Sequence, residues 1–434
     1  MPRVRALVVA VSLATTALAV VSCRDLTSLQ QSNPGALDAA GVFIPANAVL
    51  LTNGVIADFE CAFSRYVVGS GLFADELSDA IANPSNYDYD ARRITTNALY
   101  GTSTCTSTTN QQPAVYTTLS TARASGDTVA AKLRGWTDAE IPPGVSRQKL
   151  IAQAAAYTGY SIVLLGESMC SAAINIGPEL TPAQLFAEAK IRFDSAVVSA
   201  TAANDATTLN MALLGRARTL LDLGDVAGAG TDAAKIPAAF VLNMSTDGVN
   251  VRRENFSFIS INQNSWSTVD ASFRNVTING APDPRVAVTN SGRAGTAAGT
   301  QVFTPDKYNA LTSAMAIARY AEAQLIVAEA KLAANDLPGA VAAINIVRAS
   351  RTGVPAYDGT GQTAAQIKAQ IIEDRRRELF LEGHRLGDLR RYNLAFTPAA
   401  GTAYTTGGGV YGTQTCFPLP DVERVNNPNI SKTP

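Results

Sequence analysis

The chain has 434 residues, 47% of them hydrophobic and only 16% charged, with 35 basic against 36 acidic side chains and a formal charge of −1. That length suits one large or two ordinary domains, and near-neutrality excludes the basic face that nucleic-acid binding needs. A single histidine, His384, excludes a histidine-rich metal site and leaves a serine–histidine–aspartate triad only that residue to use.

Arg3 and Arg5 precede an uncharged apolar run, residues 6–20, too short for a comfortable membrane span. The run ends in Val20-Val21-Ser22-Cys23, which resembles the bacterial lipobox. Small side chains let an extended segment enter a peptidase, and the cysteine thiol accepts diacylglycerol. Residues 1–22 are therefore expected to be a lipoprotein signal peptide. Cys23 is the expected lipidation site, and its acyl chains, palmitate among them, would hold the mature protein to a bilayer. Residues 23–35 read as a polar tether and 36–434 as the folded unit.

Four further cysteines, Cys61, Cys105, Cys170 and Cys416, are an even set in a chain that reads as exported, so two disulfides are expected. They are too widely spaced for zinc, with no histidine to help. Three connectivities are open. The continuous, loop-rich stretch between them favours Cys61–Cys105, which leaves Cys170–Cys416.

Residues 36–63 alternate helical stretches with breaks. Residues 74–91 carry Asp75, Glu76, Asp79, Asp88 and Asp90 with Tyr87 and Tyr89. They lack the glycine and ligand spacing of an EF-hand and read as a solvated loop, so neither metal nor cofactor is expected. Residues 113–136 and 146–169 read as helices, the second with Ala152, Ala155 and Ala156 as a small-residue packing face. Thr181-Pro182 with Gln184 three on from the threonine is a helix start, and that helix runs to about Ala203. A helix over 207–223, a Leu223-Gly224-Asp225 turn and a short helix to Lys235 follow.

Residues 206–236 and 314–347 share one pattern: alanines at helical spacing, a tight turn ending in Asp225 or Asp336, then a second alanine-rich helix. The pattern resembles the tetratricopeptide helix–turn–helix, in which small residues let neighbouring helices nest. Residues 150–201 and 363–392 read as degenerate copies. Between the pairs, residues 237–313 are rich in Asn, Ser, Thr and Gly, with short strands expected around Phe256, Phe258 and Ile261 and around Val276 and Ile278. So long an irregular connection tends to be functional. Trp266 is the main candidate to stack on the C–H face of a sugar, with Asn262, Gln263 and Asn264 beside it for the hydroxyls, and Phe256, Phe258 and Phe273 are lesser candidates.

Residues 367–392 open as an amphipathic helix on Ile367, Ile371, Leu379 and Phe380, then carry six consecutive charges from Glu373 to Glu378. Six in a row cannot all face water if one side is packed, so some are buried and must be paired. Spacings of three and four predict Glu373 with Arg377, Asp374 with Arg377, Arg375 with Glu378, Glu382 with Arg385, and Arg385 and Arg391 with Asp388. Gly383 breaks the run before a short helix over 386–392, and His384 reads as a hydrogen-bonded structural residue.

Asp374-Arg375-Arg376-Arg377-Glu378-Leu379-Phe380-Leu381-Glu382-Gly383-His384-Arg385-Leu386-Gly387-Asp388-Leu389-Arg390-Arg391 resembles the signature of the SusD/RagB family, which usually begins with Glu and carries Trp-Phe where Leu386-Gly387 stand. Arg375, Arg376, Glu378, Glu382, Gly383, Arg385 and Asp388 form its structural motif, read as locking helices together. Asp283-Pro284-Arg285, the Pro418-Leu419-Pro420 element and Asn427-Pro428-Asn429 in the extended tail 397–434 also look like family features. The resemblance implies a mostly α fold: tetratricopeptide-like helix pairs in a right-handed superhelical scaffold, with a loop-rich segment carrying short strands.

It also implies a cell-surface outer-membrane lipoprotein, not an enzyme. Such a protein binds an oligomeric nutrient, mostly glycan, for a TonB-dependent (SusC-like) outer-membrane transporter. Arg24 after Cys23 is compatible with that destination. Two other readings compete. A tetratricopeptide-type adaptor would bind a protein and no small ligand, and a glycoside hydrolase would need two carboxylates facing across a cleft.

Overall fold

The computed structural model describes residues 39–105, 113–297 and 299–432. The signal segment 1–22, Cys23 and the tether to residue 35 lie outside the described residues.

The fold is mostly helical. Its central element is α1, Ala48–Phe73, buried on every side from Phe59 to Phe73. The expected breaks across 36–63 are absent from 48 onward, because a helix apolar all round is stable once neighbours cover it. Around it lie α2 (Tyr116–Gly135), α3 (Arg147–Ser168), α4 (Pro182–Ala202), α5 (Ala206–Asp222) and α6 (Val226–Ala233). Later come α7 (Tyr320–Ala333), α8 (Leu337–Ala349), α9 (Ala364–Glu378) and α10 (Arg385–Arg391). From α2 to α8 each helix packs on the next in sequence, the tetratricopeptide-like pairing.

Local chemistry sets the helix starts. Thr181 and Thr363 each close a reciprocal capping box with a glutamine three residues on. Asp205, Asp225 and Asp336 cap α5, α6 and α8. Small residues then allow close packing. An added Cβ at Gly159 of α3 would sit 2.8 Å from the Phe193 ring, and one at Gly215 of α5 would sit 2.4 Å from it, so α4 inserts that ring between its two neighbours.

Strands are few and short. β1 (Leu77–Asp79) pairs antiparallel with β3 (Ser267–Val269). β2 (Val241–Asn243) pairs with β6 (Ala316–Arg319), and β4 (Val288–Ala294) with β5 (Gln301–Pro305). The strand expected around Phe258 and Ile261 is instead a wide helical turn, Phe258–Gln263, begun by the Asn255 side chain accepting from Phe258 N–H at 3.1 Å. The disulfides are Cys61–Cys105 and Cys170–Cys416, spanning 44 and 246 residues. No helix of the described residues is long and apolar enough to cross a membrane.

The charged motif departs from its expected pairings. Of the expected pairs, Glu373–Arg377 and Asp388–Arg391 form, and Glu373 also takes Arg376. Asp374 instead holds Arg285 and Arg348, Arg375 holds Asp388 and Glu329, and Glu378 holds Arg319 and Arg351. Glu382 takes Arg319 and Lys307, and Arg385 takes Asp75. The reason is geometric. The helix stops at Glu378, and Leu381 (φ 53°) and Gly383 (φ 74°) turn left-handed, so residues 379–384 have no helical register. The charges point into neighbouring elements because that side of the helix is buried. Burial pushes the Glu382 carboxyl up, but Arg319 and Lys307 outweigh it and hold it at about 2. His384 is buried with Nδ1 3.9 Å from Glu322. Burial, with Arg218, Arg375, Arg319 and Lys307 nearby, holds the imidazole well below its ordinary range.

The acidic stretch 74–91 is likewise not a solvated loop. Asp75, Glu76, Asp79 and Asp90 are buried. Asp79 and Asp90 accept backbone N–H groups, including Asp79 N–H to Asp90 at 2.7 Å. Among the described residues, no group of three or more His, Cys, Asp or Glu is placed to hold a metal ion.

Candidate functional site

The Trp266 backbone is fixed from three directions. Its N–H donates to Ser260 at 2.8 Å, and its carbonyl accepts from Ala80 N–H at 3.0 Å and from the Asn86 side-chain amide at 2.9 Å. Ser265 just before it adopts φ 58°, which turns the chain out of the wide turn and into β3. The Arg293 guanidinium donates to the carbonyls of Ile261 and Gln263, each at 3.3 Å, and covers the end of that turn.

The charged motif reaches this point through β1. Arg385 clamps Asp75 at 2.9 Å, and Leu381 N–H donates to Glu76 at 2.8 Å. β1 begins at the next residue, Leu77, and pairs with β3, so the turn 379–385 sets the strand edge beside which Trp266 stands. Burial pushes the Glu76 carboxyl up to about 7, only partly offset by the Leu381 N–H and Arg385.

Trp266 forms one wall of a cavity of about 210 Å³. Phe256 is the adjoining wall, its ring 6.4 Å from the Trp266 ring and tilted by 51°. Ser64 of α1 ties that segment down, accepting from Phe256 N–H at 2.7 Å and donating to the Glu254 carbonyl at 3.1 Å. Gln263 and Asn264 supply amides at the rim, and Arg65, Arg252 and Glu254 supply charge. Arg65 lies 4.5 Å over the Phe256 ring. Burial pushes its guanidinium down to about 10, against the opposing pull of Glu254. Burial likewise raises the Glu254 carboxyl, which Arg65 pulls back.

The structure thus brings Trp266 and Asn264 together in one cavity. Asn262 does not line it; its Oδ1 is buried with no hydrogen-bond partner. Phe256 lines the cavity, whereas Phe273 stacks on Phe380 at 4.7 Å inside the core and Phe258 is half-buried. Arg65 and Arg252 escaped the sequence reading. Asp58, Cys61 and Arg65 recur at three- and four-residue spacing on one face of α1, but that signal is lost in a helix buried all round. The arrangement offers aromatic faces, amides and charge-balanced arginines, which is chemistry for holding a polyhydroxylated molecule.

Residues 296–434 match the sequence profile of the SusD family. Among curated proteins, none matches the chain. The fold is shared with solved structures at low identity. A SusD superfamily protein from Bacteroides fragilis superposes with TM-score 0.67 at 14% identity, covering 89% of this chain and 99% of that one. Surface glycan-binding protein A from Bacteroides thetaiotaomicron, solved in complex with laminarihexaose, gives TM-score 0.65 at 15% identity, covering 88% and 98%. A SusD-like carbohydrate binding protein from Bacteroides vulgatus gives 0.61 at 16%, covering 89% and 97%.

Proposed function

We propose that this SusD-fold chain is a non-catalytic glycan-binding lipoprotein of the outer-membrane surface, anchored through Cys23, which passes captured oligosaccharide to a TonB-dependent transporter. The observation that carries the reading is the Trp266–Phe256 cavity, with Asn264 and Gln263 at its rim. Aromatic rings cover the C–H faces of a sugar, and amides and guanidinium groups meet its hydroxyls. Two relatives of the same fold bear carbohydrate-binding names, one solved with laminarihexaose, which supports the ligand class. The names of those relatives describe binding rather than cleavage, which supports capture over hydrolysis.

Trp266→Ala tests the reading. Glycan affinity, measured by calorimetry and by retardation in glycan-containing native gels, is expected to fall by ~2 kcal/mol or more, the scale of an anchor residue. Full retention of affinity for every glycan bound would overturn the site. For the anchor, Cys23→Ser is expected to move the protein out of the membrane fraction. Co-purification of the wild-type protein with a large outer-membrane barrel tests the hand-over.

A further inference from the structure

We infer that the ligand site continues past the Trp266 cavity into a second compartment, and that the two together hold a neutral oligosaccharide across at least two sugar units. The inference rests on the glycan-binding reading above. A second cavity, of about 170 Å³, is lined by Asp58, Thr104, Thr117, Thr121 and Arg252, among others. Arg252 lines both cavities. Cys61 lines the first and Cys105 the second, and the two are joined by their disulfide. The compartments are therefore neighbours along one face of α1, divided by the Arg252 side chain and the disulfide.

Size argues for a divided ligand. Ligand pockets usually enclose about 300–1,000 Å³. At about 210 Å³ the first compartment suits a single ring rather than an oligomer. Its chemistry differs from that of the second. The first is walled by Trp266 and Phe256 and suits a pyranose face, while the second is lined by threonine hydroxyls and suits the next ring's polar edge. Thr121 stands exposed at its rim. The Thr117 hydroxyl donates to the Gly101 carbonyl, which leaves its oxygen free to accept from a ligand.

Charge argues for a neutral one. The dividing Arg252 guanidinium donates to Asp58, and Arg65 shares the first compartment with Glu254, which pulls on it. Each cation at the site already has a carboxylate opposite. A uronate or sulfate would have to displace one of them, at the cost of leaving that carboxylate unpaired. A sugar hydroxyl both donates and accepts, so it can join such a pair without displacing either partner.

The test is a chain-length series on the full-length protein, with binding read by calorimetry and by intrinsic tryptophan fluorescence in a Trp136→Phe background, which leaves Trp266 as the reporter. The probes are glucose through laminarihexaose, with matching xylan and mannan ladders and oligogalacturonates as the acidic arm. Wild type is expected to gain about tenfold in affinity between one and two units on the preferred ladder, the scale of one or two hydrogen bonds. Thr121→Phe fills the second compartment from an exposed position. It is expected to abolish that gain and to leave single-unit affinity unchanged. Full retention of the gain in Thr121→Phe, or tighter binding of the oligogalacturonates than of any neutral ladder, overturns the inference while leaving glycan binding intact. If no glycan binds wild type, both this inference and the glycan reading fall.

Discussion

Removing the Asp374 carboxylate should cost this fold far more than removing its neighbour Glu373, although both sit in the same run of charges. Asp374 is fully buried, and its carboxylate accepts from Arg285, from Arg348 at 3.0 Å and from the Gln370 amide at 2.9 Å. In Asp374→Ala, Arg285 keeps Asp283, but Arg348 retains only the Pro355 carbonyl at 3.2 Å and the Tyr357 ring face, with no carboxylate opposite. An uncompensated buried guanidinium costs about 3–5 kcal/mol. Glu373 is 35% exposed and pairs with Arg376 and Arg377 along its own helix. Such local pairs contribute about 0.3–0.5 kcal/mol. Urea unfolding of the two variants, with the disulfides intact, compares the costs directly, and urea leaves ion pairs unscreened. If both lose the same fraction of a kilocalorie, the motif is a helix-surface feature and the tertiary clamp described above is wrong. A second variant isolates charge from size: Arg348→Met with Asp374→Leu removes both partners, so most of the loss should be recovered.

Three further outcomes are expected. The folded state keeps a proton on Glu76 up to about pH 7, whereas an unfolded carboxyl releases it near its ordinary 4.5. Stability should therefore fall as pH rises from about 4.5 to 7, with a slope of up to ~1.4 kcal/mol per pH unit from this group. Glu76→Gln should flatten that part of the profile, and an unchanged slope would show that the proton is held elsewhere. Replacing Cys170 and Cys416 by serine should destabilise by about 1.5 kcal/mol more than replacing Cys61 and Cys105, because 246 residues are closed rather than 44, as denaturant midpoints would show. Gly215→Ala would push a methyl to 2.4 Å from the Phe193 ring and should cost ~1–3 kcal/mol by thermal or urea unfolding.

What could be read from the sequence was whatever is settled within three or four residues. The start of α4 rests on Thr181 and Gln184, and those of α6 and α8 on Asp225 and Asp336, each capping groups within its own first turn. The partners of the charged motif were hidden because they lie far off in sequence. Arg348 is 26 residues from Asp374, and Asp75 is 310 from Arg385. Burial of the run was legible all the same, since six consecutive charges cannot all face water. The stretch 74–91 misled because its carboxylates suggest solvent. Backbone N–H groups satisfy Asp79, Asp90 and one oxygen of Glu76 instead, and an N–H donor carries no residue-type signal.

The ligand-binding reading depends on the same distinction between neighbours in sequence and neighbours in space. Asn262 and Asn264 both lie within four residues of Trp266, yet only Asn264 lines the cavity, because the wide turn ending at Gln263 rotates the two side chains apart. Arg65 and Arg252 arrive from α1 and from the segment before Phe256, through packing that no periodicity announces. The motif itself acts at a distance. Arg385 and Leu381 grip Asp75 and Glu76, those residues lead into β1, β1 holds β3, and Ala80 just after β1 holds the carbonyl of Trp266. A charge-rich signature in a charge-poor protein therefore fixes where Trp266 stands without lining the Trp266 cavity itself. That is why it can be recognised in sequence while carrying no information about what the cavity would hold.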